Sequence, residues 1–517
     1  MSGTFDTIFW GGVVRFCQAG FAAAPTLLVG LVVAGVFRKL LGPEATRKAF
    51  GGDTWRSLPQ AWLWGMLLPV CSLGVIPVAY ELRRAGLSGG SILAFALTAP
   101  LFNPLSLLYG LTLSSPTVLL AFALSSLLVV TVVGFAWDRV FPNSALPPSD
   151  EPPMPPGLGR LFAVGVTAAR HAAGPTMLYC LIGLSGSVVL TVIFPHGSLT
   201  DSMAHTDRTA PLQMLLVAIP AYATPLNVMM QVGGMFVHGN SVGAAYVLLA
   251  LGAGANLGLI AWAWRAYGLR RSAVFLSLFI VVVTGIAYTV EEPLYSAGSV
   301  DRPHTHAFDV YACPFRAGST NLPERASKML VDDLPLFEVV GLTTVATLFA
   351  IGIALNLVDP DGQFEEKLAM AAEPEEGEAL SVLNSEVPGP VLGGVAIAGL
   401  VALSIVGCFV FYPAPSETLE DMSYVRADAL TYASSRNVEK AVKSIAKYDD
   451  LTRKLQVGYY LRQLELTDYQ QAKARALRGR LEQLKDVLEA EHFDEVRELS
   501  SRVSDAHRRL REAFTES

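Results

Sequence analysis

Residues 68–105 read LPVCSLGVIPVAYELRRAGLSGGSILAFALTAPLFNPL, and residues 219–258 read IPAYATPLNVMMQVGGMFVHGNSVGAAYVLLALGAGANLG. Each is a broken apolar segment, then a short glycine turn, then a Gly/Ala-rich stretch ending near an asparagine. Pro69 falls on Pro220, Gly86 on Gly239, Gly90 on Gly243 and Asn103 on Asn256, with an offset that moves only from 151 to 153. Identity between the copies is low, but the shared order of breaks favours duplication over chance. Interrupted apolar segments in corresponding places of two halves point to the binding site of a transporter.

Composition places both copies in a membrane. The chain has 517 residues, 52% hydrophobic and 16% charged, against about 25% charged in soluble domains. Residues 413–517 hold 37 of the 83 charges. This excludes an ordinary soluble enzyme for most of the chain. With a net charge of −7 and no basic stripe, it also excludes a nucleic-acid partner. Cys17, Cys71, Cys180, Cys313 and Cys408 are scattered, with no CxxC pair and no disulfide framework. Apolar runs of about 20 residues suit a spanning helix. Eight are expected: 18–37, 91–111, 117–137, 175–194, 242–264, 273–290, 335–358 and 390–412. The first has no positive charge before Arg15 and is followed by Arg38-Lys39, so it reads as a retained span.

Basic residues then set the topology. If both broken segments are re-entrant hairpins, Arg38, Lys39, Arg47, Lys48, Arg56, Arg83, Arg84, Arg139, Arg160, Arg170, Arg265, Arg270 and Arg271 all face the cytoplasm. The short outer loops 112–116 and 195–210 then hold only Arg208. Full crossings would scatter these clusters over both sides. Three crossings plus a hairpin per copy is an odd number, so the copies are inverted. The fold class expected is an all-α polytopic membrane protein. It has an inverted repeat of three spans plus a re-entrant hairpin each, two further spans, and a C-terminal helical extramembrane domain. The expected organisation is a first membrane repeat at 1–141, a Pro-rich cytoplasmic linker at 142–157 and a second repeat at 158–290. An extracytoplasmic loop at 291–334 follows. Two additional spans occupy 335–412 with an acidic cytoplasmic linker at 359–388, and a helical extracytoplasmic domain covers 413–517.

Unwound backbone is tolerated in a bilayer only where protein buries it or a wet cavity receives it. The breaks are therefore where something polar passes. Pro69, Gly74 and Pro77 break the first segment; Pro220 and Pro225 break the second; Pro100 interrupts the stretch after the first. Cys71 and Ser72 stand where a half-helix begins, and Thr224 is a good N-cap before Pro225. Asn227, Gln231, Asn103 and Asn256 complete a set of groups expected to bind substrate. Cys17, Cys180 and Cys408 read as small apolar packing residues. Glu338, Glu291 and Glu292 read as interfacial, solvated carboxylates, with binding of a coupling proton as the alternative, and no buried Asp/Glu/His chain of the proton-pump kind is visible. In the outer loop, His304, His306, Asp309 and Cys313 are metal ligands by type, although their spacing fits no finger pattern. No GxxxxGK[ST], HExxH or GxSxG occurs. No catalytic residue and no cofactor is expected.

Three stretches resemble predicted permeases of the YraQ type, the group that includes organoarsenical efflux permeases. They are AAAPTLLVGLVVAG at 22–35, LPVCSLGVIPV at 68–78, and Gly86 through Pro104. The likeness covers roughly 10–290. It implies a multispanning permease, with metal or metalloid efflux proposed for some members. Pro69, Cys71, Ser72, Gly74 and Pro77 match the hallmark segment; Leu73 stands where the family commonly carries a second cysteine.

The function expected is a permease of the cytoplasmic membrane, moving a small solute or ion by alternating access at the two breaks. A lipid or lipid-linked carrier translocase, and a membrane-embedded sensor using the outer loop and C-terminal domain, are the alternatives. Expected partners are the small-molecule or ion substrate, the lipid bilayer, and a second copy or an extracytoplasmic protein bound through 413–517.

Overall fold

The computed structural model describes residues 2–515 apart from 53, 55, 111–115, 143–144, 146, 148–159, 296–304, 306, 332–333, 361–363 and 365–387. Most of the Pro-rich and acidic linkers thus lies outside the described residues. The rest is helical; the one β contact among the described residues is the isolated bridge Ala204–Asn240.

The first helix, α1, covers Ser2–Val36 and runs on through a π turn at Phe37–Leu41 into α2, Gly42–Ala49. Then come α3 (Ser57–Leu67), α4 (Val75–Arg84), α5 (Gly89–Thr98), α6 (Pro104–Gly110) and α7 (Pro116–Val140). The second half carries α8 (Arg160–Ala172), α9 (Pro175–Ile193), α10 (Ala210–Ala218), α11 (Pro225–Val237) and α12 (Val242–Val247), which continues as a π segment Leu248–Ala253. It ends with α13 (Leu257–Tyr267) and α14 (Leu269–Leu294). After these come α15 (Leu322–Val331), α16 (Leu336–Val358) and α17 (Gly389–Phe411).

Among the described residues, six helices are long and apolar enough to cross a membrane, or seven if the bent pair α12–α13 is one span. The chain is a multi-pass membrane protein. Two of the eight expected spans are not continuous helices. Residues 91–111 divide into α5 and α6 around Ala99–Asn103, where Pro100 removes a backbone donor. Residues 242–264 bend by 56° between Ala253 and Leu257, where Asn256 starts a new helix.

The two broken stretches share more than their order of elements. In the first, the Gly74 N–H donates to Cys71 Sγ at 3.4 Å; in the second, the Asn227 N–H donates to Thr224 Oγ1 at 3.3 Å. Gly86 and Gly239 both take a left-handed backbone, with φ of 81° and 65°, at the turn after the half-helix. Only glycine adopts this without strain. Ser88 caps α5 and Ser241 caps α12, each accepting from the N–H three residues on. Each serine hydroxyl donates to a carboxylate near the end of the next long helix: Asp138 at 2.9 Å and Glu291 at 2.8 Å. Those carboxylates also accept from the Gly90 and Gly243 N–H groups. All these pairs keep the spacing of Asn103 to Asn256. A charged acceptor at a helix N-terminus meets both free N–H groups and the positive end of the helix. Glu291, expected to be simply solvated, is thus a structural cap, and His205 Nδ1 lies 2.7 Å from its other oxygen.

Each break lies against a glycine of a long helix. A Cβ on Gly30 of α1 would stand 2.2 Å from the Gly74 carbonyl oxygen, and one on Gly186 of α9 would stand 1.8 Å from that of Pro220. Close backbone approach of this kind is the use of small residues between membrane helices. The outer-loop segment from Phe308 onward packs on α1: Val14 shares a small core with Cys313, Phe315, Leu322 and Ala326.

Of the described residues, 105–110, 116–119 and 403–515 form a separate compact unit. Its helices are α18 (Pro415–Ser434), α19 (Val438–Gln463), α20 (Asp468–Glu489) and α21 (Val496–Thr515). They share one core that includes Leu419, Met422, Leu455, Leu481 and Leu510. A Thr467–Gln470 capping box starts α20. Within this core the Asp449 carboxylate accepts from Arg453 Nε at 3.0 Å and Arg478 Nε at 2.7 Å. Burial opposes its ionisation, but the two guanidiniums outweigh that and hold it well below the usual range. The Tyr448 hydroxyl lies 2.6 Å from His507 Nδ1. Burial first, then Arg426 and Arg511, lowers the His507 pKa from 6.5 to about 4.

Gly186→Ala forces a Cβ into the Pro220 carbonyl, whereas a Cβ on Gly285 of α14 meets nothing within 4 Å. Gly186→Ala should cost on the order of 3 kcal/mol, and Gly285→Ala should be neutral or slightly stabilising; thermal unfolding in detergent reads the difference. The four-helix unit should also loosen in acid. Unfolded His507 binds a proton that the folded core resists, so its contribution is complete above about pH 6.5 and falls away toward pH 4. The depressed Asp449 adds a second loss below its ordinary 3.8. Amide exchange over 415–515, corrected for intrinsic pH dependence, should show protection dropping through that first window, and less so in His507→Gln.

Candidate functional site

The backbone at each break must find partners locally, and the cap at the head of each half-helix supplies one. Beyond the second cap, α11 carries Thr224, Asn227 and Gln231 on consecutive turns of one face. The three line a cavity of about 420 Å³. Opposite them, α1 contributes Arg15 and Gln18, and α16 contributes Glu338. Gln231 Oε1 accepts from the Tyr311 hydroxyl at 2.6 Å, which ties the outer-loop segment to the cavity wall. Arg15 Nε donates to the Ala312 carbonyl at 3.1 Å, Nη1 donates to Gln18 Oε1 at 3.1 Å, and Nη2 donates to the Asp309 carbonyl. Arg15 thus anchors the loop from inside the cavity.

The remaining residues picked from the sequence sit deeper. Cys71 and Ser72 are fully buried and do not line this cavity. Ser72 Oγ finds no hydrogen-bond partner among the described residues. Tyr222, in the second break, lies beside Cys71 of the first and also lines the cavity. The two breaks therefore meet, with Tyr222 between the cavity and Cys71. Asn256 is buried, its Oδ1 accepting from the Leu259 N–H at 2.9 Å, while Nδ2 has no partner among the described residues. Asn103 is buried in its own break. Pro69, Pro77, Pro100, Pro220 and Pro225 all lie at or beside helix ends in the broken stretches, with Pro77 inside the first turn of α4.

Cys180 was expected to be a packing residue, yet its thiol points at the Leu73 carbonyl, 3.7 Å away, and neighbours Cys71. A second thiol thus reaches the hallmark segment from α9. The sequence could not show this, because the two cysteines are brought together only by tertiary packing. Tyr222, Arg15 and Tyr311 were missed for the same reason. Of the four outer-loop metal candidates, His304 and His306 lie outside the described residues. Cys313 is buried against Val14, its thiol directed at the Thr7 carbonyl at 3.8 Å. Asp309 opens a short 3-10 turn. Among the described residues, no group of three or more His, Cys, Asp or Glu could hold a metal.

A cavity of mixed polar and apolar wall, with Arg15 and Glu338 the charged groups among the described lining residues, suits a small solute that carries a polar group. Cysteine accessibility reports its extent. With Cys17→Ser as background, Asn227→Cys should react with a water-soluble maleimide, while Ser72→Cys should stay unreacted until the protein is denatured.

Residues 15–292, more than half of the chain, match the family described as predicted permease (ArsP_1). The UPF0718 protein YcgR of Bacillus subtilis (strain 168) is 29% identical over 85 residues, which cover 16% of this chain and 29% of that protein. The chain thus spans less than a third of the length of this curated relative. No solved structure matches it. By the extent of the match, which takes in both broken stretches, the chain belongs to this predicted permease family.

Proposed function

We propose that the protein is a secondary transporter of the cytoplasmic membrane, moving a small solute by alternating access around the two breaks. The observation that carries this reading is the meeting of Tyr222 with Cys71 beside a polar cavity lined by Thr224, Asn227 and Gln231. Each broken stretch acts as a re-entrant hairpin, and the two copies form an inverted repeat. The paired caps favour duplication, since Asp138 and Glu291 do one job in both copies. The distribution of Lys and Arg favours inversion, because it places these two carboxylates on opposite sides of the membrane. The four-helix unit is extracytoplasmic on the same topology.

Cargo of metal or organometalloid character, moved outward, fits the chemistry at the first break. Soft cations prefer several thiolates, and Cys180 brings a second thiol to the segment where Leu73 replaces one. Accumulation and toxicity in a transport-deficient host test both levels of the reading. The panel is organoarsenicals, copper, zinc and a neutral solute, with wild type, Cys71→Ser, Cys180→Ser and Thr224→Ala. Reduced accumulation of one soft compound, lost in all three variants, is the expected result. Loss in Thr224→Ala alone would keep the transporter and remove the thiol cargo. No difference for any compound, with the protein well inserted, would sink the transport reading in favour of a lipid translocase.

A further inference from the structure

A second cavity, of about 450 Å³, opens at the other end of the same helices. The first cavity uses Gln18 of α1 and Ser187 of α9; the second uses Arg38 just beyond α1 and Thr176 and Tyr179 of α9. Twenty helical residues separate Gln18 from Arg38, about 30 Å at 1.5 Å per residue, which is the thickness of a bilayer core. The second cavity has a different chemistry. Arg38, Arg83, Arg84, Arg170 and Arg265 converge on it from four separate elements.

The acidic side of this wall is committed. Glu81 is the one carboxylate among the described lining residues. It is 3% exposed, and its Oε1 lies 2.8 Å from Nε2 of the buried His171. Arg170 is bonded to Asp359 at 3.0 Å from outside the lining. Among the described residues, with Asp359 counted, the five lining arginines outnumber the carboxylates. Arg83 lies over the Tyr267 ring, its guanidinium carbon 5.0 Å from the ring centre, and its buried Nε has no acceptor among the described residues. A buried donor without an acceptor is costly, and a guanidinium fork is matched by the paired oxygens of a phosphate or similar group. The amphipathic stretch around His171, the arginine pair 83–84 and the basic end of α13 are far apart in sequence, so no motif announced this cluster.

We propose that this cavity is a binding site for a phosphate-type oxyanion. A positive vestibule concentrates anions by its field, and Arg83 and Arg265, on separate helices, supply donors. On the transport reading given above, and resting on it, the vestibule faces the cytoplasm, and its anion is bound beside the path rather than carried as the thiol-held cargo. The oxyanion can come from solution or from the headgroup of an anionic phospholipid, and these are separable.

The test uses the full chain in nanodiscs of phosphatidylcholine, with radiolabelled inorganic phosphate in equilibrium dialysis at low ionic strength. One saturable site per chain is expected. Arg83→Gln and Arg265→Gln, on different helices, should each weaken it about tenfold, while Arg83→Lys, which keeps charge but loses the fork, should lie between. Arg208→Gln, on the far loop, should bind like wild type. Adding phosphatidylglycerol to the discs assigns the source: displacement of phosphate, or enrichment of phosphatidylglycerol around the protein, makes the headgroup the ligand. Unchanged phosphate binding makes it a soluble anion. Saturable binding indifferent to both Gln variants, or neither phosphate binding nor phosphatidylglycerol enrichment, overturns the proposal. Thr224→Ala should leave phosphate binding intact, so a failure of the transport reading would not disturb this result, nor the reverse.

Discussion

The constraint on which the membrane unit depends is the need to satisfy backbone polar groups where helices stop inside a bilayer. Water is not available there, so each interruption must carry its own partners. At the two breaks the answer is a side chain that accepts from the N–H three residues on, sulfur in one copy and oxygen in the other. At the glycine turns that follow, it is a serine cap backed by a carboxylate from the next long helix. A hydrogen bond to a charged group is worth about 1.5–3 kcal/mol, roughly twice a neutral one. The carboxylates therefore fix where α5 and α12 start, and with them the position of each half-helix.

Once those ends are pinned, the rest follows by packing. The half-helices can lie against α1 and α9 only because Gly30 and Gly186 leave room for the Gly74 and Pro220 carbonyls. That crossing brings Tyr222 to Cys71 and Cys180 to Leu73. The two cavities then form at either end of α1 and α9, one amide-rich and one guanidinium-rich. The contrast in charge comes from side chains at helix ends, where long cationic residues reach the interface at little cost.

Local signals made the membrane class, the broken stretches and the cap at Thr224 legible in the sequence, whereas the cap at Asn256 emerges from the structure. Proline, glycine and the N-cap residues act within a few positions, so reading them needs no tertiary information. Two expected spans carry interruptions that hydropathy ignores but Pro100 and the asparagines mark, and the second remains one span if its bent pair crosses together. Residues 91–111 and 242–264 are apolar throughout, but Pro100 and the Gly254–Asn256 turn interrupt their hydrogen bonding. The site was half legible. Thr224, Asn227 and Gln231 follow from helical spacing, whereas Tyr222 against Cys71, and Glu81 against His171, depend on which helices touch. The partner of His171 is 90 positions away. Pairing over that distance leaves no periodic trace.

The glycine crossings have a mechanical consequence. Where side chains interdigitate, ridges sit in grooves and two helices are keyed to fixed angles and steps. At Gly30 against Gly74 and Gly186 against Pro220, a single carbonyl oxygen is seated in a one-residue notch. Sliding along the helix axis would drive that oxygen into the next side chain, Leu31 or Ser187, so each contact locks axial position while leaving no interdigitated side chains to hold the crossing angle. On the alternating-access reading proposed above, each notch is a pivot, and motion at the breaks is biased toward rotation rather than toward shear.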